Sequence, residues 1–300
     1  MQIDILHPLA FLRWSSKCSV LPVGICFAQA VLLEDRLYLG GGMTSGNHRD
    51  DARLYVYTHT TDTWSMMETP VLWFALISYH SQLVLVGGRN YIDEKMLGPV
   101  TNKLWTKDKH TWLKSIPPMT KGRYSASAVE FAGNILVAGG AGNITDVEVY
   151  NGHHWTTIHH LPDPCQHMKS AVLNGHLYLM GGILQGKRVY CAPLDILCKP
   201  SENPPPSLWK RHPDVPHEYF SPVVIGNRII AVGGGIGSPS SSIHAYSPHT
   251  QSWVHVGDMP IGLGHTCTAV LPNGKLMIIG GWSSTSQLNS CVYQASLNGK

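Results

Sequence analysis

The nine residues His159-His160-Leu161-Pro162-Asp163-Pro164-Cys165-Gln166-His167 gather three imidazoles, a carboxylate and a thiol, the groups that hold zinc. Their spacing matches no established zinc pattern, and the two prolines stiffen the backbone that would have to converge. His153 and His154 flank Trp155, and strand alternation lets at most one of them share a face with the others. A solvated loop is the expectation, with no metal site. Enzymatic signatures are missing too: Gly-x-Ser-x-Gly, His-Glu-x-x-His and a phosphate loop ending in Lys-Ser/Thr do not occur. No catalytic residue and no cofactor is expected. The chemistry present in quantity is that of aromatic rings beside a few cations, the residue types that dominate protein recognition.

Bulk properties narrow the partner. Charged residues are 14% of the 300 and the net charge is +3, too little to argue for nucleic acid or an anionic membrane. No stretch of about 18 apolar residues exists to span a bilayer. The start, Met1-Gln2-Ile3-Asp4, lacks the basic region of a signal peptide. Seven cysteines without close pairing suggest a reducing compartment, so a cytoplasmic location is expected.

The elements that position these side chains repeat. Gly-Gly pairs begin at Gly41, Gly87, Gly139, Gly181, Gly233 and Gly280, separated by 46, 52, 42, 52 and 47 residues. Each follows an apolar run such as Leu83-Val84-Leu85-Val86, a pattern that suits a strand covered on both faces. Trp14, Trp64, Trp112, Trp155, Trp209 and Trp253 run in phase, each followed within eight residues by a proline. From each Trp to the next Gly-Gly the distance is 27, 23, 27, 26, 24 and 27 residues, whereas Gly-Gly to Trp varies from 16 to 28. Fixed spacing implies packed strands; variable spacing implies surface loops. Alternating strands such as Leu54-Tyr55-Val56-Tyr57 then lead into hairpins that bring Tyr57 to Trp64 and Tyr246 to Trp253. A period of this length means an array of one supersecondary unit of four antiparallel strands. The glycines mark backbone that neighbouring strands approach closely.

The ordered set of apolar run, Gly-Gly, Tyr, Trp and Pro resembles the kelch family over roughly residues 11 to 297. The resemblance implies an all-β fold, a six-bladed kelch-type β-propeller around a central channel. The expected blades span about 23–67, 71–115, 123–158, 166–212, 218–256 and 264–296, within one domain covering 1–300. The orphan Trp strand at 11–17 is expected to complete the last blade, pairing with the strand that carries Cys291 and Tyr293. Cys18 and Cys291 would then share a blade as separate thiols. Two departures stand out: Trp105 replaces the expected Tyr, and residues 191–206 form an insert that reads as a projecting, partly extended loop.

In such a propeller the loops after Gly-Gly and the segments after the Trp-Pro unit share one face, where recognition is expected to sit. The candidate partner-binding residues there are Arg123, Tyr124, Arg89, Asn90, Tyr91, His48, Arg49, Trp73, His167, Tyr219, Phe220, His265 and Trp282. The resemblance implies an arginine shortly after the proline in most blades, yet only blade three has one, Arg123. A ligand less acidic than an arginine ring would take follows. The resemblance further implies a protein-interaction module that captures a peptide or loop, as in substrate-recognition components of ubiquitin ligases. About ten residues precede the first repeat, which leaves no room in this sequence for the BTB and BACK domains of such adaptors. Two other readings follow from fold relatives: an enzyme or small-molecule binder using the central channel, mutarotase- or oxidase-like, and an actin-binding protein.

Overall fold

The computed structural model describes residues 12–15, 19–45, 52–93, 96–108, 111–183, 186–199, 208–235, 237–284 and 287–296. Six four-stranded antiparallel sheets carry the fold. Their first strands are Gln29–Leu33, Ala75–Tyr79, Ser127–Phe131, Lys169–Leu173, Ser221–Ile225 and Cys267–Val270. These six strands contact one another in cyclic order, the sixth also touching the first. The Trp-bearing strands form the opposite, outer edge of five sheets, and in the fourth Trp209 directly precedes the outer strand Lys210–His212. In the sixth sheet that edge is Arg13–Ser15, paired with Val292–Ser296 in the register Trp14↔Ala295. The orphan strand thus sits where the repeat phasing puts it. Cys291 lies one residue before its partner strand, and Cys18 lies outside the described residues.

The doubly apolar strands have a direct cause. Each of six hydrophobic cores lies between two neighbouring sheets, including one that joins the first sheet (Leu37, Leu39, Tyr55) to the sixth (Met277, Ile279). Both faces of every sheet are therefore covered, and alternation in the middle strands is suppressed. Gly-Gly lets the sheets approach. A Cβ on Gly87 would stand 2.3 Å from Arg123 O, and Gly88 N donates to that same carbonyl at 2.8 Å. Equivalent bonds run from Gly140 to Cys165 O, Gly234 to Leu263 O and Gly281 to Ile25 O.

The tryptophans tie the outer edge. The indoles of Trp14, Trp64, Trp112, Trp155 and Trp253 each donate to a carbonyl at or just beyond the end of the preceding outer strand, as Trp155 does to Pro117 O at 2.7 Å. The hairpin pairs form as read, with ring centroids 5.0 Å apart for both Tyr57–Trp64 and Tyr246–Trp253. The insert is a correction. Its first part is not a projecting loop: Cys191 and Ala192 continue the strand Val189–Pro193, and one helical turn, Leu194–Leu197, buries Leu194 and Leu197 completely. Those two leucines fit the core between sheets three and four, which holds the chain down against the pull of the nearby prolines. Residues 200–207 lie outside the described ones. All six described cysteines are free thiols, and among the described residues no helix is long and apolar enough to cross a membrane.

Candidate recognition face and central channel

At one end of the sheets, the loops after Gly-Gly bond to the segments that lead into the first strands. Ala141 N donates to Tyr124 O at 2.9 Å, Ile183 N to Gln166 O at 3.0 Å and Gly235 N to Glu218 O at 2.6 Å. This is the shared face expected from strand alternation, and the candidate residues can be placed on it one by one.

Arg123 is not on the surface. It is 0% exposed and ion-paired with Glu148, itself 0% exposed. The guanidinium also donates to Gly139 O at 2.8 Å and Asp146 O at 3.0 Å, and Glu148 accepts from Thr120 N at 2.7 Å. A buried cation needs a counter-charge and bonded donors; blade three supplies Glu148 and two backbone carbonyls, which engage both terminal guanidinium nitrogens and leave Nε without a partner among the described residues. The expectation that Arg123 meets a partner is corrected: it is a scaffold residue. Beside it, Lys121 and His160 pair with Asp146. Burial alone would raise the Asp146 carboxyl, but Lys121, His160 and Arg123 together hold it below its ordinary value. Phe220 is likewise corrected, being 1% exposed in the core between sheets four and five.

A belt sits at the face's centre. The residue two places before each first strand adopts the left-handed conformation: Phe27 (φ 59°), Trp73 (56°), Ser125 (52°), His167 (55°), Tyr219 (57°) and His265 (53°). Bulky residues rarely do so. Backbone bonds between successive blades hold the turn, from Phe27 N to His265 O (3.1 Å), Ser125 N to Trp73 O (2.9 Å), His167 N to Ser125 O (3.0 Å) and His265 N to Tyr219 O (2.7 Å). The conformation brings the rings together across the axis. Centroid distances are 3.8 Å for Phe27–His265, 4.9 Å for Phe27–His167, 5.2 Å for Trp73–His167 and 4.3 Å for Tyr219–His265. His265 is 6% exposed and serves as packing between Phe27 and Tyr219, whereas Phe27, Trp73, His167 and Tyr219 are half-buried. Burial, then the charge of Lys169, pulls His167 down to about 4 and His265 down to about 3. Both rings are neutral at physiological pH.

Sequence reading missed Phe27 and Ser125. The signal was available: Phe27, Trp73, Ser125, His167 and Tyr219 each stand fourteen residues before a first glycine, and His265 stands fifteen before Gly280.

Around the belt, Arg89 lies with its guanidinium carbon 5.5 Å from the Tyr124 ring centroid while its Nε donates to Gly98 O at 3.2 Å. Arg89 and Asn90 open the strand Arg89–Asp93, which pairs with Met96–Val100 and with Val71–Leu72, so the blade-two loop is a sheet of its own. Tyr91 lies on that strand, with its side chain outside what is described. Trp282 is half-buried and bridges Gly264 and Leu288 through its backbone. His48 and Arg49 lie outside the described residues. Exposed apolar residues follow the same loops, namely Val100, Ile183 and Ile261.

Below the belt is a cavity of about 290 Å³ lined from all six first strands, among them Ala30, Ile77, Ser127, Lys169, Ser221 and Thr268. Between belt and cavity, Gln29 spans the axis, accepting from Leu76 N at 3.1 Å and donating to Ala126 O at 3.4 Å. Lys169 reaches from blade four to Ala28 O of blade one at 3.5 Å. The His-Cys run is dispersed: His159 is buried on its strand, His160 faces Asp146, Cys165 donates to Gly181 O at 3.2 Å and His167 joins the belt. Among the described residues no group of three or more His, Cys, Asp or Glu could hold a metal ion.

The geometry finds its counterparts among known proteins. The Kelch motif family model matches residues 216–260. Kelch-like protein 24 of Rattus norvegicus is 29% identical over 240 residues, covering 65% of this chain and 38% of its own length. Kelch-like protein terF of Aspergillus terreus is 25% identical over 317 residues, covering 94% of this chain and 67% of itself. Kelch-like protein 35 of Mus musculus is 26% identical over 203 residues, covering 63% and 33%. The chain thus spans from a third to two thirds of the length of these relatives. The solved structure of YjhT aligns with a TM-score of 0.72 at 14% identity, covering 92% of this chain and 95% of that one, a likeness of fold alone. Repeats, sheets and relatives agree: the chain carries a Kelch motif at residues 216–260 and is similar to kelch-like proteins over most of its length.

Proposed function

We propose that this propeller is a protein-interaction module that captures a peptide or loop of a partner on the belt face. The observation that carries the reading is the set of five ring-bearing residues, Phe27, Trp73, His167, Tyr219 and His265, held left-handed at equivalent positions. Backbone strain of this kind persists where the surroundings over-determine it and clusters at ligand-contacting sites. Trp and Tyr in a partly buried cluster, rimmed by Arg89, Tyr124, Asn90 and Trp282 and by exposed Val100, Ile183 and Ile261, make the anchor-and-rim composition of a binding surface. With Arg123 spent inside blade three, Arg89 stacked on Tyr124 and Lys121 paired with Asp146, no ring of free cations surrounds the belt among the described residues. The partner segment therefore inserts apolar or aromatic side chains against the belt and is not strongly acidic.

A finer role follows from the relatives. Kelch repeat and BTB domain-containing protein 1 of Cowpox virus is 23% identical over 263 residues, of which the match covers 45% of that protein and 82% of this chain. By analogy the propeller supplies substrate recognition to a cytoplasmic ubiquitin-ligase adaptor. The test is affinity capture with the folded wild-type chain and with Trp73→Ala/Tyr219→Ala. Loss of the captured partner by the double variant, with an unchanged far-UV spectrum, supports the reading; equal recovery overturns it.

A further inference from the structure

The central cavity is lined by one cation and one carboxylate: Lys169 from blade four, and Glu130, which is exposed and accepts from Gly133 N at 2.9 Å. Lys169 opens the first strand of blade four and lines both the cavity of about 290 Å³ and a recess of about 20 Å³ directly beneath the belt. Its one hydrogen-bond partner is Ala28 O, at 3.5 Å, and among the described residues no carboxylate pairs with it. The titratable groups that face it are Cys26, Cys267, His167 and His265. None supplies an anion: burial pushes the Cys26 thiol up to about 12 and the Cys267 thiol up to about 11, and both imidazoles are neutral. A half-buried cation with no carboxylate paired to it is costly, and burial lowers the pKa of Lys169.

The walls show what would relieve that cost. Ser127, Ser170, Ser221 and Thr268 bring hydroxyls to the cavity, while Ala30 and Ile77 give it apolar stretches. Ser125, 6% exposed, lines the recess with Lys169 and Gln29, and its Oγ has no hydrogen-bond partner. A lysine cation, an unpartnered hydroxyl and a carboxamide thus line the recess, and Lys169 and Gln29 also line the mixed polar and apolar cavity. That space is at the small end of the range for ligand pockets, roughly 300–1,000 Å³.

We propose that the channel beneath the belt is a binding site for a small organic carboxylate, its carboxyl group held by Lys169 with Ser125 and its body lying along the first strands. The recess shares Phe27, Trp73 and His167 with the belt, but the test below turns on Lys169, which is not a belt residue, so its failure is distinguishable from failure of the partner-binding reading. The ligand's charge replaces the missing counter-ion, and the belt closes the cavity's Lys169 end against the partner's side.

The experiment uses the full chain at constant ionic strength, titrated with acetate, lactate and benzoate and with the three matching amides. Binding is read by saturation-transfer NMR and by the melting temperature. At least one carboxylate is expected to bind saturably, at least tenfold more tightly than its amide. Lys169→Met is expected to lose that binding at least tenfold, while Lys169→Arg retains it. The carboxylate-to-amide comparison on the wild-type chain needs no variant, so a misfolded Lys169→Met would not shelter the proposal. Absence of saturable binding by all three acids overturns it, as do equal affinities for acid and amide or unaltered binding by a folded Lys169→Met.

Discussion

Replacing Arg123 by Met keeps most of the stem's volume and removes the guanidinium. Three interactions go with it: the ion pair to Glu148 and the bonds to Gly139 O and Asp146 O. Glu148, at 0% exposure, is left as a buried carboxylate bonded only to Thr120 N among the described contacts. Stranding one member of a buried pair costs about 3–5 kcal/mol, and in a protein of this size that lowers the melting temperature by roughly 5–8 °C. The double variant Arg123→Met/Glu148→Leu removes both charges and is expected to regain most of the loss, because the desolvation penalty disappears with them. Arg89→Ala, on the rim, is expected to change stability by less than about 0.5 kcal/mol. The assay is equilibrium urea denaturation, comparing midpoints at unchanged slope. An Arg123→Met variant within about 1 kcal/mol of wild type, or a double variant no better than the single, would refute the scaffold assignment.

Two further predictions follow from the belt and the sheet junctions. Gly234 has φ +117° and a Cβ there would lie 2.5 Å from Glu218 O, whereas Gly226 (φ +60°) has nothing within 4 Å. Gly234→Ala should therefore cost more than about 2 kcal/mol and Gly226→Ala only about 1 kcal/mol; equal urea midpoints would contradict this. His167 and His265 titrate near 4 and near 3 in the fold, against an ordinary 6.5. Between about pH 6.5 and 4 the unfolded chain binds more protons than the folded one, so stability is full above that window and falls as pH drops through it. The melting temperature should decline across that range, and His167→Gln/His265→Gln should flatten the decline; an identical slope in the variant would count against it.

Most of the architecture was legible because strand lengths fix the Trp-to-Gly-Gly spacing, and because packing on both faces leaves unbroken apolar runs such as Leu276-Met277-Ile278-Ile279. The placement of the N-terminal strand followed from the same phasing. Individual side chains were less legible, for physical reasons. Glu148 reads as the outward residue of an alternating strand, but the facing blade covers that side and Arg123 meets it there. Arg123 therefore looked like a surface cation when its charge is balanced inside. Leu194 and Leu197 have helical spacing over a single turn, too short to stand out among the prolines of the insert. Lys169 follows Met168 in a strand of mixed polarity, and nothing local reveals that its side chain crosses the axis to Ala28 O. The belt was partly visible, since Trp73, His167, Tyr219 and His265 were singled out. Aligning the repeats by distance to Gly-Gly would have added Phe27 and Ser125.

The central claim, that the belt face recognises a protein segment, is tested most directly by photo-crosslinking. A benzophenone amino acid is placed at Trp73 and, in a separate protein, at Asp35 in the turn between Gln29–Leu33 and Arg36–Gly40 at the opposite end. After capture of the partner and irradiation, a covalent adduct from position 73 and none from position 35 is the predicted result. Adducts from position 35 with none from position 73, or equal yields from both, would contradict it.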